Sequence, residues 1–179
     1  MTPSLPPLPL LFKSKSGGEV VLLRSVIPMH KDWTKYCYVC GPDNPKCLKL
    51  EPYIDDENAV FATYVAPDYL CGFKGILHGG MHVPLLDCMC LWLCYLQGKP
   101  VITTEFNVKL LKPAFTGEEL YLRSELVSDD GKSVIVKGEI RNSKRELCTV
   151  AKITGKILSK ESFKKFTGKE WIPLRQQTS

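Results

Sequence analysis

The stretch Leu77-His78-Gly79-Gly80-Met81-His82-Val83-Pro84-Leu85-Leu86-Asp87-Cys88-Met89-Cys90-Leu91-Trp92-Leu93-Cys94 decides how this chain of 179 residues is read. From Val83 to Leu96 the apolar residues fall on every side of a helical wheel, and Gly98 and Pro100 then stop the pattern. A helix that is apolar all round is buried all round. The run is shorter than the ~20 residues that cross a bilayer, so it reads as the core helix of a soluble domain.

One residue breaks that pattern. Asp87 is a carboxylate among apolar neighbours, with no Lys or Arg within a helical turn. Burying it costs several kcal/mol unless it is paired or protonated. Two readings compete: an aspartate at a subunit interface bonded to backbone or hydroxyl groups, and a catalytic carboxylate. The second gains from His78-Gly79-Gly80 just upstream. Glycines at a helix start leave N–H groups bare at the positive end of the helix dipole, which suits a developing oxyanion. Taken alone, the paired glycines would mark only a tight turn.

Working outward, Leu48–Ile54 and Ala59–Val65 read as strands around an Asp55–Asn58 turn. Beyond the helix, Val101–Leu111, Glu119–Val127, Ser133–Arg141 and Leu147–Leu158 alternate in polarity and read as an antiparallel meander. Pro67–Gly75 reads as a loop. Glu19–Ile27 fits either a strand or a peripheral helix. One buried helix and one antiparallel sheet make an α+β layer fold. The expected divisions are a Pro-rich arm over 1–35, one domain over 36–158, and a tail over 159–179 with an amphipathic turn around Phe163–Phe166.

A hydrophobic content of 44% is enough for a core without staples, and the net charge of +5 is mild. Lysines are scattered rather than clustered, which argues against nucleic-acid binding and leaves room for an anionic small molecule. Met1–Phe12 lacks a basic start and is broken by prolines, so no signal peptide is expected. The eight cysteines are therefore expected to be reduced and the setting cytoplasmic.

The run Gly72-Phe73-Lys74-Gly75-Ile76-Leu77-His78-Gly79-Gly80, followed after six intervening residues by Asp87, resembles the signature of PaaI-type acyl-CoA thioesterases of the hotdog superfamily. The likeness continues in Val101–Pro113 and in the Cys37-Tyr38-Val39-Cys40-Gly41-Pro42-Asp43-Asn44-Pro45 loop, and spans about 37–158. The resemblance implies a six-stranded antiparallel sheet wrapped around one long central helix. It also implies homodimers joined edge to edge, or dimers of dimers (homotetramers), with active sites at the interface. Asp87 then matches the general base or nucleophile, the Gly79 N–H the oxyanion donor, and His78 the motif histidine that orients the carbonyl. Thr103 matches a hydroxyl that the partner subunit supplies to hold water. Some relatives carry Asn where this chain has Gly72, which leaves more of the positioning to His78.

Other residues admit two readings each. Gly80 and His82 are candidates for substrate contact, although His82 equally fits a place at the interface. Lys112 and Lys132 match basic residues beside the nucleotide end of CoA, against the plain reading of solvated lysines. His78 and His82 have H-x-x-x-H spacing, but the glutamate a zincin needs is missing. Cys37, Cys40 and Cys47 offer three thiols, with His30 as a possible fourth ligand; the preferred reading is no metal and no cofactor. Cys88, Cys90 and Cys94 read as packing residues. Hydrolysis of an acyl-CoA thioester is the first functional expectation, and a non-catalytic acyl-CoA-binding module the second. A hotdog hydratase is disfavoured, because its Asp-x4-His pattern is absent.

Overall fold

The apolar run folds into helix α1 (His82–Leu96). Pro84 lies in its first turn, where a missing N–H breaks no helical bond. Ten of its residues are buried, Leu85, Leu86, Met89 and Leu93 completely or nearly so. With the turn before it, Gly79–Leu96 is long and apolar enough to cross a membrane. Here a sheet covers it instead. The computed structural model describes the backbone at 12–13, 20–21 and 24–25, and the chain over 31–54 and 59–174.

The strands are β1 (Phe12–Lys13), β2 (Val20–Val21), β3 (Arg24–Ser25), β4 (Tyr53–Ile54), β5 (Val60–Val65), β6 (Cys71–Phe73), β7 (Ile76–Leu77), β8 (Val101–Leu110), β9 (Glu119–Asp129), β10 (Ser133–Arg141) and β11 (Leu147–Ile157). The main sheet has the order β3-β4-β5-β9-β10-β11-β8, antiparallel throughout. Its alternating inward residues, such as Leu120, Leu122, Val134, Val136 and Ile153, pack on α1. This is the expected central helix on an antiparallel sheet. Seven strands replace six, because β3 adds a two-residue strand at the far edge. The sheet pieces β2 and β3 also fall within Glu19–Ile27, the segment left open between strand and helix.

Three local expectations are corrected. Strand β4 begins only at Tyr53, because Lys49 takes a φ of 59° that interrupts extended backbone. The Leu48 and Leu50 N–H groups bond instead to Tyr38 and Val39 carbonyls. The region 67–75 is not all loop: a 3-10 turn at Asp68–Leu70 leads into a β6–β7 hairpin. Most consequentially, β8 does not lie beside β9. It pairs with β11 at the sheet edge, and the chain crosses back over 111–118 to reach β9. On the way Ala114 accepts from the Leu77 N–H, and Phe115 bridges to Ile76. A link with Pro113 and eight residues is too long for a hairpin turn, so neighbours in sequence are not forced to pair.

The tail is more than one turn. Helix α2 (Lys160–Thr167) is capped by Ser159, which accepts from Ser162 N–H, and ends at Gly168 in the left-handed region. Phe163 of α2 and the following Trp171 pack with Trp33 and Tyr95, ring centroids 4.9–5.7 Å apart. The packed body thus extends on both sides of 36–158. The Asp55–Asn58 turn and His30 lie outside the described residues.

Candidate active site beside the edge strand

Asp87 lies on α1 where β8 passes after the short 97–100 connection. Thr103 on β8 donates its hydroxyl to Asp87 Oδ1 at 2.5 Å. Both side chains are half-buried. Burial pushes the Asp87 carboxyl above its usual range; the Thr103 hydrogen bond opposes that shift, and the nearby Cys37 adds to it. The result is a carboxylate more basic than a solvated one, with one oxygen held and the other available. The contact corrects one expectation. Thr103 meets the Asp87 of its own chain, because β8 returns antiparallel along the helix that precedes it.

The start of the helix is built differently. His78 caps a 3-10 turn at Gly79–Met81, its Nδ1 accepting from the Gly80 N–H at 2.9 Å. That bond consumes the Gly80 donor and leaves the other face of the exposed imidazole free. The Gly79 N–H has no acceptor among the described residues. A Cβ on Gly79 would stand 2.8 Å from Leu110 Cδ1, so a larger residue there would displace the exposed Leu110 side chain.

Between the β6–β7 hairpin and the 110–114 crossing lies a cleft of about 500 Å³. His78, Gly79, His82, Leu110, Lys112 and Pro113 are among the residues that line it. Asp87 and Thr103 are not. From Gly79 to Asp87 the helical rise amounts to roughly 12 Å. Within one chain the N–H donor at the cleft and the carboxylate farther down the helix are therefore separate. A thioester carbonyl cannot touch both within one chain.

The remaining candidates fall out as follows. His82 is buried and its Nδ1 lies 2.7 Å from Thr149 Oγ1 on β11, so it faces its own sheet beneath the cleft rather than a subunit interface. Burial lowers its pKa and favours the neutral ring. Lys112 lines the cleft and pairs with Glu146 at 2.5 Å, both half-exposed. Lys132 sits in the β9–β10 turn at the other end of the sheet, away from the cleft. In one chain it stands apart from the cleft, at the Val101 end of β8. Leu110 and Ala114 line the cleft and were not singled out; the only sequence signal for them was Pro113 ending the strand. Among the thiols, Cys88 rather than Cys47 groups with Cys37 and Cys40. Cys90 and Cys94 are buried packing residues whose thiols burial pushes up.

The family model of the thioesterase superfamily matches residues 74–149. A solved thioesterase superfamily protein is similar, with 25% identity and a TM-score of 0.62, over 65% of this chain and 60% of that one. The E. coli PaaI protein from the phenylacetic acid degradation operon has 18% identity and a TM-score of 0.60, over 66% of this chain and 88% of its own. A hypothetical thioesterase from Streptococcus pneumoniae, solved with coenzyme A, has 19% identity and a TM-score of 0.54, over 56% of this chain and 79% of its own. No curated protein matches the sequence.

Proposed function

We propose that this chain belongs to the thioesterase superfamily, with a hotdog domain that resembles its PaaI-type members, and that it hydrolyses an acyl-CoA thioester to the free acid and CoA. The observation that carries the reading is the Asp87–Thr103 pair: a half-buried carboxylate made more basic by its surroundings, with a hydroxyl fixed against one oxygen. A structural aspartate at this place would gain nothing from standing beside an open edge.

The two half-sites call for a second copy of the chain. Among the described residues strand β8 is a long free edge, with Phe106 and Leu110 exposed. Antiparallel pairing of two β8 strands about a two-fold axis near Glu105 and Phe106 sets each strand's Leu110 end against the other's Val101–Thr103 end. Since Leu110 touches Gly79 and Thr103 touches Asp87 in each chain, the partner's Gly79 then approaches Asp87. Each homodimer holds two composite sites.

In such a site the thioester carbonyl oxygen accepts from the Gly79 N–H of one chain, with the exposed His78 alongside. Asp87 of the other chain takes a proton from water as the water oxygen adds to the carbonyl carbon. The tetrahedral intermediate collapses by breaking the C–S bond, and CoA leaves as the thiolate. A direct attack by the carboxylate on the carbonyl, with later hydrolysis of the anhydride, uses the same geometry. Lys112 at the cleft is the cation best placed for a phosphate of CoA.

The test is Asp87→Asn with a thiol reagent and a panel of acyl-CoAs. Release of CoA is expected to fall by about 10³-fold while the variant melts no lower than wild type, since Asn can still meet Thr103. An unchanged rate would overturn the mechanism. Binding of acyl-CoA with no thiol release by the wild type would favour the binding-module reading.

A further inference from the structure

Behind Asp87, on the side of α1 that faces loop 31–47, three sulfurs meet. Cys37 and Cys40 come from the loop and Cys88 from the helix, and their Sγ atoms all lie within 4.8 Å of one another. Cys40 and Cys88 are buried with sulfurs 3.2 Å apart, while Cys37 is half-buried and borders solvent.

The backbone around them is shaped for sulfur. In Cys37-Tyr38-Val39-Cys40-Gly41 the Val39 N–H points at Cys37 Sγ at 3.4 Å, and the Gly41 N–H closes the turn on the Cys37 carbonyl at 2.9 Å. Only glycine fits at 41, because a Cβ there would stand 2.4 Å from both Cys37 N and the Lys35 carbonyl. From the helix side, Trp92 Nε1 donates to Cys40 Sγ at 3.2 Å. Thiols that merely fill space behave as small hydrophobes and need no N–H donors. Donors aimed at sulfur are the outer partners that thiolate ligands of metals recruit. A simple disulfide pair would leave the third sulfur without a role.

We propose that Cys37, Cys40 and Cys88 form a three-thiolate site for a thiophilic closed-shell cation, Zn²⁺ or Cu⁺, that ties loop 31–47 to α1. Zinc–sulfur bonds of about 2.3 Å in a tetrahedron put the sulfurs roughly 3.8 Å apart, within the spread these atoms already occupy. Soft thiolates select these two ions over magnesium or calcium. Copper(I) is satisfied by three sulfurs, whereas zinc takes a fourth ligand, for which the Cys37 side is open to water. Binding releases the thiol protons and, because the ligands come from two separate segments, stabilises the fold. The site holds the loop whose Cys37 neighbours Asp87, yet it stands independently of the hydrolase reading.

The full chain, purified under a non-chelating reductant, is titrated separately with Zn²⁺ and with Cu⁺ and read by elemental analysis and melting temperature. One ion per chain and a higher melting temperature are expected in at least one arm. Cobalt(II) is expected to give a sulfur-to-metal charge-transfer band. Cys88→Ala and the half-buried Cys37→Ser should each lose the bound ion and the thermal shift, while Cys47→Ala keeps both. Failure of the wild type to retain either ion overturns the proposal, as does loss of binding in Cys47→Ala equal to that in Cys88→Ala. Recovery of wild type with two of the three thiols joined as a disulfide and no metal also overturns it. Turnover is not the readout, so failure here leaves the thioesterase reading standing, and the reverse.

Discussion

The two ends of α1 are built to opposite effect. At its start, a glycine pair, an exposed imidazole and a cleft of about 500 Å³ leave the Gly79 N–H open among the described residues. At its end, Tyr95 packs against Trp92, Trp33 and Trp171, and Phe163 packs on Trp33 and Trp171, joining α1 to the 31–47 loop and the C-terminal tail. The second arrangement buries large rings and closes the fold. The first gives up contacts that a helix start would otherwise make, and leaves an open cleft. Under the proposed function the lesson is a division of labour along one helix: cohesion is concentrated away from the proposed site, so the helix start can remain underpacked.

That contrast can be broken or sharpened by experiment. The largest effect is expected midway along the helix, where Asp87→Asn should remove about 10³-fold in turnover at little cost in stability. At the closed end, Trp171→Ala should cost about 3 kcal/mol, seen as a melting temperature roughly 10 °C lower, with turnover at low temperature nearly unchanged. If that variant loses activity before it loses structure, the division of labour is wrong. At the open end, Gly79→Pro removes the one N–H of interest, and its Cβ pushes the exposed Leu110 side chain aside. The preceding His78 already has a ψ of 129°, which suits the residue before proline. Turnover should drop by about 10²-fold through loss of an oxyanion donor. Mixing this variant with Asp87→Asn under subunit exchange should restore about a quarter of the wild-type rate, because half the dimers regain one of two composite sites. No recovery would mean that Asp87 and Gly79 act within one chain.

The smallest effect concerns His82 beneath the cleft. Its folded pKa lies below the ordinary 6.5, so the folded state binds fewer protons than the unfolded one as pH falls through that range. Its contribution to stability is therefore whole above pH ~6.5 and declines below it. Chemical denaturation from pH 7.5 to 5 should show a steeper loss for wild type than for His82→Gln. Equal slopes would mean that the ring takes up its proton without leaving Thr149.

Much of this was legible in the sequence. An all-apolar run bounded by Gly-Gly and Gly-x-Pro fixes a buried helix, because helical periodicity and stop residues are local properties. The strands β9, β10 and β11 announce themselves by alternation and tight turns, and Asp87 stands out because a charge in such a run must be explained. Tertiary structure decided the rest. The placement of β8 beyond β11 depends on which edge is left open once the sheet has curled around α1, and a crossing link carries no local mark of its destination. The same crossing brought Leu110 against Gly79 and Thr103 against Asp87 in one chain. Likewise Cys88 joined Cys37 and Cys40 while Cys47 stayed apart, since distance along the chain does not say which loop lies on which helix face.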